Sequence, residues 1–286
     1  MNVKYGIAIL FLSLLFQATM KAQTTNSSEI NPYRVVTRCS SHGITLLNNL
    51  DTYLSGYNHT GIGYNFNHEN FRRAHTGKYQ WRYQTLFSTI AGYTKQHSNN
   101  QFTLLAKYTW GGYHPFEINQ RLQLLAGAQI QAAAGALYIP TNGNNPVSAK
   151  MRLALAASGM AIYHLPINGH DYVMRYQLDI PIAGVMFSPE FGQSYYEIFG
   201  LGHTGNIWHF AHPFNSPSWK HTLSIDLPIG NKRHNVTVRL SYTADIYQSK
   251  INGLRTHIYS HAFTFGFVKT IYKVKQGDNI KAYSPY

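Results

Sequence analysis

Residues 236–246 read Val-Thr-Val-Arg-Leu-Ser-Tyr-Thr-Ala-Asp-Ile, an unbroken alternation of apolar and polar side chains. On a β-strand, successive side chains point to opposite faces. Val236, Val238, Leu240, Tyr242 and Ile246 therefore share one face, and Arg239 and Asp245 share the other. In a water-soluble sandwich the apolar face looks inward. In an outer-membrane barrel it looks outward to lipid, and the charges look into the lumen. The fold turns on which way these faces point.

The same alternation recurs along the chain. Trp81, Tyr83, Phe87, Ala91 and Tyr93 oppose Gln80, Arg82, Gln84 and Ser88. Phe102, Leu104, Ala106, Tyr108 and Trp110 oppose Thr103, Lys107 and Thr109. Tyr172, Met174, Tyr176 and Leu178 oppose Arg175, Gln177 and Asp179, and Trp219, Leu223, Ile225 and Leu227 oppose Lys220, Ser224 and Asp226. Strands are expected at 41–50, 61–71, 79–93, 101–110, 119–136, 149–163, 171–180, 217–228, 234–247 and 255–271. Most have the roughly 9–11 residues that a tilted strand needs to cross a bilayer, whereas strands of soluble proteins commonly run about 5–6. Rings also bracket apolar faces, as Trp81 and Tyr93 do, in the manner of an interfacial girdle.

Composition agrees. Charged residues make up 12% of the 286 residues and aromatic residues 14%, with 22 Tyr. Soluble domains carry about twice that share of charge. The formal net charge is +13. A single cysteine, Cys39, rules out an internal disulfide framework. Residues 1–22, with Lys4 and an apolar run from Gly6 to Phe16, follow the plan of a Sec signal peptide cleaved after Ala22. Residues 23–40 then read as a periplasmic lead-in, 41–272 as the barrel and 273–286 as a polar tail. Connections at 51–60, 137–148 and 181–216 are read as long and those at 72–78, 111–118, 164–170 and 229–233 as short, as expected for external loops and periplasmic turns, although 94–100 and 248–254, on the external side, are short as well.

The predicted fold is an all-β antiparallel transmembrane β-barrel of ten strands, or twelve if 181–216 hides a hairpin. Arg82, Lys107, Arg152, Arg175, Asp179, Lys220, Asp226, Arg239 and Asp245 are the candidate polar network of a narrow, net-basic lumen. On a lipid face each cation would cost about 2–4 kcal/mol at mid-bilayer. The aromatic segment 181–216 loses the alternation and is expected to plug the barrel or bind there, through Glu190, Tyr195, Tyr196, Glu197, Trp208 and His209. No metal site is expected. On a strand His257 and His261 stand about 13 Å apart, and no carboxylate or thiol joins His209 and His212 at ligand spacing. Ser260 beside His261 is the one candidate for a hydrolase, but on a strand the two point to opposite faces. No catalytic residue or cofactor is therefore assigned.

Four blocks carry a family resemblance: NNLDTYLS at 48–55, NNPVSAK at 144–150, SPEFGQSYYEIF at 188–199, and ADIYQSKINGLRTHIYSHAFTFGFVKT at 244–270. They resemble a Bacteroidota family of uncharacterised outer-membrane β-barrel proteins, grouped as a domain of unknown function. The resemblance implies the same fold and location, and no activity. The expected role is structural or passive transport, porin-like, in the outer membrane of a Gram-negative bacterium. The alternatives are a hydrolase modifying lipid of the outer leaflet and a barrel that binds a partner protein or a glycan. The partners expected are outer-membrane lipid, lipopolysaccharide and the barrel assembly machinery, and not nucleic acid.

Overall fold

The computed structural model describes residues 34–76, 79–167, 169–229 and 236–273. Residues 1–22, expected from sequence to be a signal peptide, and the tail beyond Lys273 lie outside them. The chain forms β1 (Arg34–Asp51), β2 (Ser55–Thr76), β3 (Tyr79–Gln96), β4 (Asn99–Glu117), β5 (Leu122–Tyr138), β6 (Val147–Ile167), β7 (His170–Phe187), α1 (Tyr195–Phe199), β8 (Trp208–Ala211), β9 (Ser218–Ile229), β10 (Val236–Ile251) and β11 (Leu254–Lys273). From β1 to β7 each strand pairs antiparallel with the next, as do β9 with β10 and β10 with β11; β7 also pairs with β8 and β9, and β1 pairs with β11. The short β8 and the longer β9 lie on the same edge of β7, one above the other, and make a single stave. The result is a closed barrel of ten staves.

The register fixes its shape. Val35 faces Arg73, then Arg82, Tyr113, Gly127, Ser158, Asp179, Lys220, Asp245, Ser260 and finally Leu47. One circuit thus climbs from Val35 to Leu47, a stagger of 12 residues on β1. With strands about 4.8 Å apart and rising about 3.3 Å per residue, this gives a tilt of about 40° and a backbone radius of about 10 Å. A barrel that narrow has room for side chains and little else.

The faces now have a direction. Val236 is 50% and Leu240 45% exposed, while Arg239 is 4% exposed. The apolar face of 236–246 looks out and its charges look in. The same holds on β4, where Leu104 and Trp110 are exposed and Thr103 and Thr109 are buried.

The strands are longer than their patterns suggested, and three expectations change. Residues 34–40 are not a lead-in. Val35, Thr37 and Cys39 continue the inward alternation of β1 and pair on both sides. The supposed long connection at 51–60 is a turn at 52–54, because Ser55 onward is already strand. Only 139–146 and 188–217 remain long at that rim. Within 181–216 there is no extra hairpin, so ten staves stand. Alternation appeared to fail there because the register shifts: Leu155 faces Ala183 while Ala156 faces Pro181, which leaves Ile182 as a bulge residue. A bulge inverts the in–out phase of the residues after it. At the β10–β11 hairpin, Asn252 and Gly253 both hold positive φ (53° and 72°), as the two-residue Asn-Gly turn requires.

The β1–β11 seam joins the two ends of the chain and leaves little space. A Cβ built on Gly43 would lie 1.9 Å from the carbonyl oxygen of Phe263, whereas one on Gly56 would meet nothing within 4 Å. The obstacle at Gly43 is backbone and cannot swing aside. Gly43→Ala is expected to lower the thermal unfolding midpoint by several degrees, and Gly56→Ala to leave it within a degree or two. Circular dichroism melts of the two variants check this.

Candidate functional site

The interior is filled in layers. Near the rim that holds the chain ends, Phe71, Tyr113, Leu125, Met160, Ile162 and Val173 pack into one buried apolar cluster. Above them lies a polar layer centred on Glu69. Its Oε2 accepts hydrogen bonds from Arg175 (2.8 Å) and Arg239, and its Oε1 accepts one from Gln84 (2.5 Å). Arg239 also grips Asp226 with two bonds, Nε to Oδ1 at 2.5 Å and Nη2 to Oδ2 at 2.7 Å. Gln84 Oε1 accepts from the Tyr113 hydroxyl and from Gln177, and Gln177, Gln129 and Ser158 all donate to Asp179 Oδ1. Residues of β2, β3, β4, β5, β6, β7, β9 and β10 meet in this one network.

Toward the loop rim a third layer holds the ion pairs Lys107–Asp245 and Lys150–Asp51, the latter at 2.7 Å. Arg152 donates to Ser218 at 3.2 Å and lies 5.0 Å from the ring centre of Tyr247. Lys107, Asp245, Lys150, Arg152 and Tyr247 border a cavity of about 90 Å³, whose other walls include Ile90, Leu105, Ala133, Ile258 and Ser260. The cavity has room for several waters. Leu54, Leu137, Ile139 and Ile258 close over it, with Tyr53 packed against them.

The mouth is roofed by 188–207. Ser194 caps α1 reciprocally: its hydroxyl accepts from the Glu197 N–H at 3.2 Å, and its own N–H donates to the Glu197 carboxylate at 2.6 Å. That donated bond holds the Glu197 carboxyl below its ordinary range. Tyr195 stacks between Phe187 and Phe199, meets Tyr53 edge-on, and its hydroxyl accepts from the Ala149 N–H at 2.6 Å. Burial pushes the phenols of Tyr53 and Tyr195 up from their ordinary range. Tyr53 lies in the β1–β2 turn and Ala149 on β6, half a circuit away, so Tyr195 bridges the mouth. Phe187, Ile198 and Ile207 form the small core of this lid.

Of the nine lumen residues expected from sequence, eight enter these polar layers or border their voids, with Lys220 beside Glu69 and Arg239. Arg82 does not. It is buried, directly opposite Arg73, and its Nε and Nη1 have no hydrogen-bond partner among the described residues. The six loop residues are not gathered. Tyr195 turns down into the mouth, and Tyr196 is 72% exposed. Glu190, held by Asn206 at 2.8 Å, and Glu197 line a shallow hollow beside His203. Trp208 lies edge-on to Phe187, and His209 bonds with Asn206 and Asn252. Ser260 faces inward, while His261 faces outward and pairs with the Tyr242 hydroxyl at 2.8 Å, so no Ser–His dyad assembles. Among the described residues no three His, Cys, Asp or Glu converge as a metal site.

Sequence reading missed Glu69, Asp51 and Lys150, although each obeys the inward alternation of its strand. These three and the nine together make seven cations and five carboxylates, and Arg73, between inward Val35 and Arg82, is a further inward cation.

The protein is thus an all-β closed antiparallel barrel, with an apolar outward face and an interior filled by polar layers and apolar clusters. It belongs to the family described as Protein of unknown function (DUF3316), whose model matches residues 7–278. Solved structures similar to it include the translocator domain of autotransporter NalP from Neisseria meningitidis (10% identity, 92% of this chain and 97% of that chain, TM-score 0.39). Others are the attachment invasion locus protein Ail of Yersinia pestis (10% identity, 84% and 100%, TM-score 0.31) and an outer membrane channel from Pseudomonas putida F1 (7% identity, 87% and 100%, TM-score 0.36). No curated protein matches the chain. Strand count and closure rest on the pairing within the chain itself.

Glu69 joins two guanidinium groups to the Gln84 network. Glu69→Gln removes the shared negative charge from a buried site, which commonly costs about 3–5 kcal/mol. The expected outcome is a large fall in the urea midpoint of the folded barrel, followed by Trp fluorescence.

Proposed function

We propose that this protein is an integral outer-membrane barrel of a Gram-negative bacterium, with a sealed lumen. Its role is structural and surface-presenting rather than that of a passive conduit. One observation carries the membrane reading. On β11 the outward charges are Lys269 and Arg255, 14 residues apart. At a rise of roughly 3.3 Å and a tilt of about 40°, they are separated by about 35 Å along the axis. Between that level and its counterpart on the other described strands, the outward face holds no Asp, Glu, Lys or Arg. Such a belt matches the hydrocarbon thickness with its interfaces, and in water it would expose far more contiguous apolar surface than soluble proteins tolerate. Tyr93, Phe102 and Tyr138 near the loop rim, and Trp81 and Phe116 near the other, lie at the belt's edges, as girdle residues do.

The sealed-lumen reading rests on the stacked layers. A solute would have to pass the Tyr195 lid, the Glu69 network and the Phe71 cluster in turn. Lipopolysaccharide at the loop rim and the assembly machinery at the other are the partners this placement proposes, with a Bacteroidota origin and a cleaved signal as parts of the same reading.

Two measurements test it. The folded protein is expected to migrate differently on a gel before and after boiling. In planar bilayers it should give no stable conductance steps, and removal of 190–206 should leave it silent, since two layers remain. Steps from the intact protein would refute the sealed lumen, and solubility without detergent would refute the membrane placement. Separately, Leu240→Arg puts a charge in the middle of the belt and is expected to cost about 2–4 kcal/mol, read as a lower urea midpoint in lipid vesicles. Arg at the rim position Tyr57 should cost little.

A further inference from the structure

The cations on the outside of the barrel are not evenly spread. Arg38 on β1, Arg72 on β2 and Lys269 on β11 stand on three adjacent staves near the rim of the chain ends, and all are exposed. Lys269 is directly opposite Arg38. Arg72 is opposite Val36, one diagonal step from Arg38. Opposed side chains have Cβ atoms about 4.5–5.5 Å apart, and diagonal neighbours about 7–8 Å apart. Like charges this close destabilise a sheet. Among the described residues no carboxylate offsets them: none of the three takes part in an ion pair, and the nearest acid on these strands, Glu69, points inward and holds Arg175 and Arg239. The stagger of the barrel brings the three to nearly one height. Directly beyond them, toward mid-barrel, lie the exposed rings of Phe267 and Phe265 on β11. A cluster of cations meeting an apolar wall at one level is the shape of an amphiphile's head and tail.

We propose that Arg38, Arg72 and Lys269 form a binding site for the phosphate headgroup of an anionic phospholipid. The lipid belongs to the leaflet that meets the rim of the chain ends, with its acyl chains along Phe265 and Phe267. The site rests on the membrane placement above. Guanidinium groups offer planar, two-pronged bonds to phosphate, and the ammonium adds a point charge. A zwitterionic headgroup would bring its own cation into the cluster, so the site discriminates for net negative charge. The loop rim provides a comparison, because Lys250 and Arg255 also oppose each other, but as a pair on one hairpin without a third neighbour.

The test uses the full chain, refolded in detergent and first shown to shift on boiling. Failure of that shift defeats the membrane placement, and the site falls with it. Native mass spectrometry then measures retention of phosphatidylglycerol against phosphatidylethanolamine. The wild type is expected to retain phosphatidylglycerol about tenfold better, in the direction set by the attraction of Lys and Arg to anionic headgroups. The combined variant R38Q/R72Q/K269Q should lose that preference, K250Q/R255Q should keep it, and free inorganic phosphate should not displace the lipid. Equal retention of the two lipids by the wild type would overturn the proposal. So would a preference that survives the triple substitution, or displacement by phosphate alone.

Discussion

Closing the sheet with a fixed stagger governs everything else in this molecule. Once Val35 has climbed to Leu47 in one circuit, the radius is set, and an interior of that width must be filled by side chains. The strands supply those side chains at every second position, and the outward positions have no protein to pack against. Hence the apolar residues cannot form the usual core. Most are displaced to the outside, and the barrel is held by its backbone ladders and by what the inward residues do with one another.

What they do is satisfy charge locally. Arg239 is bonded to Asp226 and Glu69, and Glu69 to Arg175 and Gln84. Buried charges of this kind are costly unless each is paired and hydrogen-bonded. The network meets that condition by drawing on eight staves, so each partner comes from a distant part of the sequence. Arg82 shows the alternative: it is buried beside Arg73 with two nitrogens unpaired among the described residues. The lid follows the same rule at the mouth, where Tyr195 and Tyr53 place rings in an apolar gap and give their hydroxyls to backbone groups.

Much of this was legible in the chain. The alternation at 236–246 and its repeats locate all ten staves, because a period of two is local and survives any tertiary context. The inward set was partly legible by the same parity. Glu69 was overlooked because 61–71 is rich in Gly and Asn and carries a weak apolar phase. The end of β7 was misread because the bulge at Ile182 inverts that phase, and the turn at 52–54 because its flanks are polar on both sides. The lid was legible as an anomaly but not as a geometry, since its contacts on Tyr53 and Ala149 join residues 46 to 142 positions away.

The sequence alone determined the element type and the sorting of each strand into a polar and an apolar face, both of which depend on neighbours one or two residues away. Only the tertiary structure decided between ten and twelve staves, which face was inside, which charges became partners and how the interior was filled. Those depend on closure and register, which bring together residues remote in sequence and which no local pattern records.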